Sequence, residues 1–204
     1  MKLYHREHTG RPLRVLWTLE ELGQPYELEL MTYEVGKSEE HFARHPLGRV
    51  PVIDDGEGYV FESAAICLQL ADLHPEGAMI APLGSHERAL VYQWAVFAPS
   101  ELEPPAMEAA IFKDADPERA AKARERFSAA ADAVERSLDG RDFLVGDRLT
   151  VADVMVSTAV NFANRAGFGE LLGEAVKAYL AALQERPAFQ RAREAASQLP
   201  AAAE

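Results

Sequence analysis

Apolar and polar positions change period several times within the first eighty residues. Lys2-Leu3-Tyr4-His5 is a short strand candidate, and beyond it apolar residues fall at 13, 15, 16, 19 and 22. That spacing predicts a helix over 12–22, closed by Gly23 and Pro25. Tyr26 to Leu30 alternates as a second strand, and Ser38 to Arg44 predicts a short helix that stops before Pro46. The stretch GRVPVIDDGEGYVFESAAI, Gly48 to Ile66, alternates on both flanks of an Asp-Asp-Gly-Glu-Gly turn. It predicts a hairpin that runs directly into a helix over 63–73, ended by His74-Pro75. The order β-α-β-α-β-β-α implies a sheet with parallel pairs, finished by an antiparallel hairpin.

Past residue 75 the pattern is helical throughout. PEGAMIAPLG, Pro75 to Gly84, is a linker marked by proline and glycine. Helices are predicted from Ser85 to Phe112, bent near Pro99 and Pro104-Pro105, and from Asp116 to Leu138. Three more follow over 150–166, 171–185 and 187–197, and the tail LPAAAE is expected to fray. Asp116-Pro117-Glu118 is a strong start signal, with an N-cap, a proline at the first helical position and an acid in the first turn. Two domains result: a small α/β unit over 1–80 and an all-helical unit over 85–204.

Composition narrows the function classes. Lys and Arg number 21 against 33 Asp and Glu, a formal charge of −12, which argues against non-specific binding to nucleic acid or to an anionic membrane. One cysteine in 204 residues excludes an intrachain disulfide. The polar N-terminus reads as neither a signal peptide nor a span, and no apolar run approaches the roughly 20 residues a bilayer requires, so a cytoplasmic protein is expected.

The chemistry concentrates at the two ends of the hairpin. Val50-Pro51 places a proline where the first strand should donate to a ladder. A trans proline at a strand start satisfies this; a cis bond instead turns the Val50 N–H and C=O towards an extended peptide ligand that pairs like one more strand. Glu62-Ser63 opens the next helix. Ser63 is either an N-cap alone or the hydroxyl of an anion site built on the free N–H groups of the helix. With Glu62 beside it for an ammonium, the pair suits the head group of an amino acid. Leu149-Thr-Val-Ala-Asp-Val154 reads as folding machinery: Thr150 as N-cap, Asp153 completing a capping box, Leu149 and Val154 spaced as a hydrophobic staple.

The motifs PLGRVPVI and FESAAI, the helix Val15-Leu-Trp-Thr-Leu-Glu-Glu-Leu-Gly23 with Pro25-Tyr26, and LTVADV follow one another in order across essentially the whole chain. Together they resemble the cytosolic glutathione transferases of bacterial type. The resemblance implies a thioredoxin-like, glutathione-binding first domain, a helical second domain, glutathione as co-substrate and a homodimer built on the long helices after Ser85. It implies that Val50 pairs through its backbone with the cysteinyl part of glutathione beside a cis Pro51, and that Glu62 and Ser63 hold the γ-glutamyl head. Arg49 falls where the family carries a group facing the glycyl carboxylate, with a solvated arginine as the rival role, and Lys37 is a second candidate for that end. No metal is implied.

The implied reaction is attack by the glutathione thiolate on a hydrophobic electrophile, a detoxifying transfer. In this family a Tyr, Ser or Cys in the first strand or the following loop lowers the thiol pKa. Here Tyr4 to Arg14 contains neither Ser nor Cys. Thr9 is the leading candidate and Tyr4 the second, with Arg11 as an electrostatic aid; His5 and His8 are expected at the surface. The missing loop cysteine argues against a mixed-disulfide mechanism, and Cys67 reads as a buried structural thiol. Tyr92, Trp94, Phe97, Met107, Phe112 and Phe162 offer apolar surface for the electrophile, although aromatics at helical spacing are more often core. A glutathione-dependent isomerase or peroxidase, or a non-catalytic interaction protein, fits the same motifs.

Overall fold

A computed structural model of the chain describes residues 1–6 and 10–197. They form two compact units: Met1–Ala78 with the chain from Arg186 onward, and Met79–Glu185.

In the first unit, β1 (Lys2–His5), α1 (Gly10–Leu22), β2 (Glu27–Leu30), α2 (Glu39–Arg44), β3 (Val52–Asp54), β4 (Tyr59–Phe61) and α3 (Ser63–Leu73) follow in the expected order. The sheet runs β2-β1-β3-β4. β1 pairs parallel to β2, with Leu3 opposite Leu28, and antiparallel to β3, with Leu3 opposite Ile53. Asp54 and Asp55 shape the hairpin turn, their carboxylates accepting from the backbone N–H groups of Gly56, Glu57 and Gly58. α2 starts where Ser38 accepts from the N–H of His41 and ends at the extended His45, which precedes Pro46.

Strand alternation sorts β1 between two layers. Tyr4 lies on the α2 side, packed with Met31, Val52 and Val50. Its ring sits 6.4 Å from that of His41, and the Arg44 guanidinium lies 4.4 Å above it. Leu3 and His5 point the other way. His5 is fully buried and donates through Nε2 to the carbonyl of Ala196, which corrects its expected surface position. The cover comes from the last helix, Pro187–Ala196. The sequence places it with the helical domain, yet its contacts are with α1. Phe189 meets Trp17 edge-on at 4.8 Å, Arg186 grips Glu21 with two bonds of 2.6 and 2.7 Å, and Arg191 pairs with Glu20. The apolar face of α1 is long enough to need cover on two sides, and nothing local in residues 187–196 names their partner.

The second unit holds α4 (His86–Phe97), α5 (Glu103–Phe112), α6 (Pro117–Ser137), α7 (Val151–Ala163) and α8 (Glu174–Gln184), and the final helix of the chain is therefore α9. The bend expected within 85–112 is a π-helical turn, Ala98–Leu102, which contains Pro99. Asp116 caps α6 by accepting from Arg119 N–H. Thr150 and Asp153 form the expected capping box on α7, and Leu149 and Val154 are both buried. Asp153 does more than cap. Its Oδ1 also accepts from Leu144 N–H at 2.9 Å and from the Tyr179 hydroxyl of α8 at 3.0 Å. Burial raises its pKa, and those same hydrogen bonds oppose the rise. Among the described residues no helix is long and apolar enough to cross a membrane.

Candidate functional site

The segment His45–Pro51 is held from both ends by histidines. His41, fully buried on α2, donates through Nε2 to the carbonyl of Arg49 at 2.9 Å. His45 accepts at Nδ1 from Leu47 N–H at 3.0 Å, and its ring rests 4.6 Å from that of Phe61. Burial lowers the pKa of His45 below its ordinary value, with the Glu62 carboxylate pulling the other way. A neutral ring is also what the Leu47 bond requires, since a protonated Nδ1 cannot accept. Gly48 has φ +60°, and an added Cβ would stand 2.5 Å from the carbonyl oxygen of Gly36, so only glycine fits there. The Val50–Pro51 bond is cis, one of the two alternatives the sequence left open. β3 begins at Val52, which leaves the backbone of Val50 outside the ladder.

The other strand of the hairpin ends at Glu62-Ser63. Val52 opposes Phe61, so this register brings residues 50 and 63 to the same end of the hairpin. Glu62 has φ 73°, ψ 112°, a region that non-glycine residues rarely enter and that costs about 1–3 kcal/mol. Such strain clusters at ligand clamps. Glu62 stands at the N-cap without a side-chain cap bond, and Ser63 is the first helical residue, one place on from the cap position the sequence allowed. Ser63 is buried, and Arg14 Nη1 donates to its Oγ at 3.2 Å. Arg14 itself is 2% exposed, on the α1 turn whose carbonyl accepts from Thr18 Oγ1. Cys67, one turn further along α3, is fully buried as expected, and burial pushes its thiol up to about 11.

Residues 1–72 match the glutathione S-transferase N-terminal domain, and residues 116–195 match the C-terminal domain of the same family. The chain belongs to the glutathione S-transferase family. The glutathione S-transferase-like protein LUC7 of Fusarium is 30% identical over 170 residues, 79% of this chain and 77% of its own. Elongation factor 1-gamma of Trypanosoma cruzi is 37% identical over 134 residues, which make up 64% of this chain and 31% of that relative. The structure of a sphingomonad glutathione S-transferase complexed with glutathione superposes with a TM-score of 0.85 at 25% identity, covering 98% of this chain and 100% of that one.

A member of the glutathione S-transferase family by its domains, the chain distributes its expected site residues unevenly. Val50, Pro51, Glu62 and Ser63 gather at one end of the hairpin. Arg49 is exposed, with its backbone fixed by His41. Lys37 is exposed and stacks its Nζ 4.2 Å from the Tyr33 ring, which Arg6 also faces at 5.4 Å. Arg11 is exposed in the first turn of α1. The hydroxyl of Tyr4 sits on a ring packed into the α2 layer, and burial raises its pKa. Thr9 and His8 lie outside the described residues. Sequence reasoning missed Arg14, His41 and His45. None of the three left a signal there: Arg14, for one, stands at helical spacing among Arg11, Thr18 and Glu21. Of the aromatics singled out in the second unit, Trp94 is core, while Tyr92, Met107 and Phe162 are exposed together with Ile111. Among the described residues no cluster of His, Cys, Asp or Glu could hold a metal ion.

Proposed function

We propose that this glutathione S-transferase joins the glutathione thiolate to a hydrophobic electrophile. The observation that carries this is the strained Glu62 ahead of a buried Ser63 at a helix N-terminus without a side-chain cap, at the same hairpin end as the unladdered Val50. Val50 offers its N–H and C=O to the cysteinyl backbone. The α3 N-terminus and Ser63 take the γ-glutamyl carboxylate, and Glu62 takes the ammonium. Arg49 faces the glycyl carboxylate, with Lys37 as the second candidate for that end. A free thiol with pKa about 8.5 is only a few per cent ionised at neutral pH, and each unit of lowering requires about 1.4 kcal/mol of preferential thiolate stabilisation. Thr9 supplies the hydroxyl donor just before α1, aided by Arg11 and the positive end of that helix. The core packing of Tyr4 supports giving Thr9 this role. On an aryl halide the sulfur–carbon bond forms, the carbon–halogen bond breaks, halide departs, and the thiol proton goes to solvent.

Exposed Met107, Ile111 and Phe162 give the second unit apolar surface for the electrophile. Tyr92 and Val96, exposed on α4, mark a face for a homodimer, which sedimentation analysis tests. A detoxifying role in the cytoplasm fits this chemistry. Retention on immobilised glutathione with turnover of 1-chloro-2,4-dinitrobenzene is the expected result; failure to bind glutathione refutes the proposal. The elongation factor 1-gamma relative favours a second reading, a non-catalytic interaction protein, which binding without turnover of any electrophile supports.

A further inference from the structure

Arg14 is a buried cation that the proposed chemistry has not used. At 2% exposure it sits inside the first unit, on the helix face that packs against α3, and one of its bonds goes to Ser63 Oγ. A guanidinium donates only. The Ser63 oxygen therefore accepts on one lone pair, which keeps the hydroxyl proton available to donate. The cation also stands directly behind the N-terminus of α3. Its charge adds to that of the free helix amides, and the surrounding apolar core screens it far less than water would. The two effects act in the same direction, since each favours an anion that accepts from Ser63.

We infer that Arg14 is a positioning residue for glutathione: through Ser63 it fixes a hydroxyl donor and a positive field for the α-carboxylate of the γ-glutamyl head. This rests on the proposed glutathione site and adds to it a residue that does not touch the ligand. The burial is consistent with such a role. Replacing a buried charge by an apolar residue of similar volume is often neutral or stabilising, so packing alone gives little reason for an arginine here.

The experiment compares glutathione with 4-aminobutanoyl-cysteinylglycine, which keeps the ammonium and both peptide bonds but lacks that carboxylate. Binding of each is measured by calorimetry on the unaltered protein, Arg14→Met and Ser63→Ala. The unaltered protein should prefer glutathione by about tenfold or more, the worth of a hydrogen bond to a charged group. Arg14→Met should remove most of that preference and leave affinity for the analogue within about twofold, since its other contacts remain. In a Ser63→Ala background the Arg14 substitution should add little. Equal weakening of both ligands, or an undiminished preference in a folded Arg14→Met, overturns the inference. If Arg14→Met does not fold, Arg14→Lys takes its place: the cation remains but the bond to Ser63 is lost, so a partial fall in preference supports the inference and none overturns it. An unaltered protein that binds neither ligand refutes the glutathione site itself, a failure distinct from the others.

Discussion

Asp153→Ala should be the most damaging single substitution outside the proposed glutathione site. The carboxylate is fully buried and accepts from four donors: Leu144 N–H at 2.9 Å, Thr150 N–H at 2.8 Å, Thr150 Oγ1 at 3.1 Å and the Tyr179 hydroxyl at 3.0 Å. Truncation leaves two backbone amides without an acceptor and the phenol with only its 3.4 Å bond to the residue 153 carbonyl, while the threonine hydroxyl can turn to another. At about 1–3 kcal/mol for each buried orphan, and allowing partial relaxation, the loss is about 3–6 kcal/mol. For a chain of this size that lowers Tm by roughly 10–20 °C. Asp153→Asn separates the components. Its oxygen can keep the Leu144 and Tyr179 bonds, but the amide nitrogen then confronts Thr150 N–H, so the cost should fall to about 1–3 kcal/mol. Tyr179→Phe removes one donor and should cost about 1 kcal/mol. Urea unfolding of the three variants gives the ordering Ala, Asn, Phe. An alanine variant within 1 kcal/mol of the unaltered protein would refute the view that this carboxylate ties α7 to the preceding loop and to α8.

Ser63→Ala should weaken glutathione binding about 10–100-fold, as expected for loss of a bond to a carboxylate, and cost about 1–3 kcal/mol of stability because the buried Arg14 Nη1 loses an acceptor; unchanged affinity by calorimetry removes Ser63 from the site. Thr9→Ala should lower turnover more than binding, whereas an unchanged rate together with loss of activity in Tyr4→Phe would transfer the catalytic role to Tyr4. For His45 the folded-state pKa lies below its unfolded value of about 6.5, so its contribution to stability is complete above that pH and is lost as pH falls through the folded value. His45→Asn, which can still accept from Leu47 N–H, should flatten the acid limb of a stability–pH profile, and an identical limb in both proteins would assign the titration elsewhere. Glu21→Ala releases Trp17 Nε1 and both bonds from Arg186, and should cost about 1–2 kcal/mol and speed proteolytic removal of α9; a protease profile like that of the unaltered protein would show that the remaining ties to Trp17, Glu20 and His5 hold the helix.

The elements legible in the sequence were those whose information is local. Helix α3 runs Ser63–Leu73 as its apolar spacing and the His74-Pro75 stop require, and α6 starts where Asp116-Pro117 says it should. The hairpin follows from alternation around a turn rich in Asp and Gly, and the capping box from a four-residue spacing. Each of these is decided by contacts within about a turn or a strand pair. Helix α9 is the complementary case: its ties run to Glu20, Glu21 and Trp17, more than 160 residues away in the chain, and no spacing within 187–196 encodes a partner at that distance.

The same distinction divides the site. Val50-Pro51 and Glu62-Ser63 were legible because a proline in a strand and a Glu-Ser at a helix start each break a local rule, and such breaks mark function. Arg14, His41 and His45 break none. An arginine on a helix or a histidine after one is unremarkable until tertiary structure buries it and supplies a partner across the fold: Ser63 for Arg14, the Arg49 carbonyl for His41, the face of Phe61 for His45. Local motifs therefore mark the candidate surface, while the layer that orients that surface emerges only once distant segments are brought together. Within the family this has a consequence for comparing relatives. Two chains that share the hairpin motifs can still differ in how firmly Ser63 and Arg49 are held, and affinity for the common thiol should follow the buried partners as much as the motif.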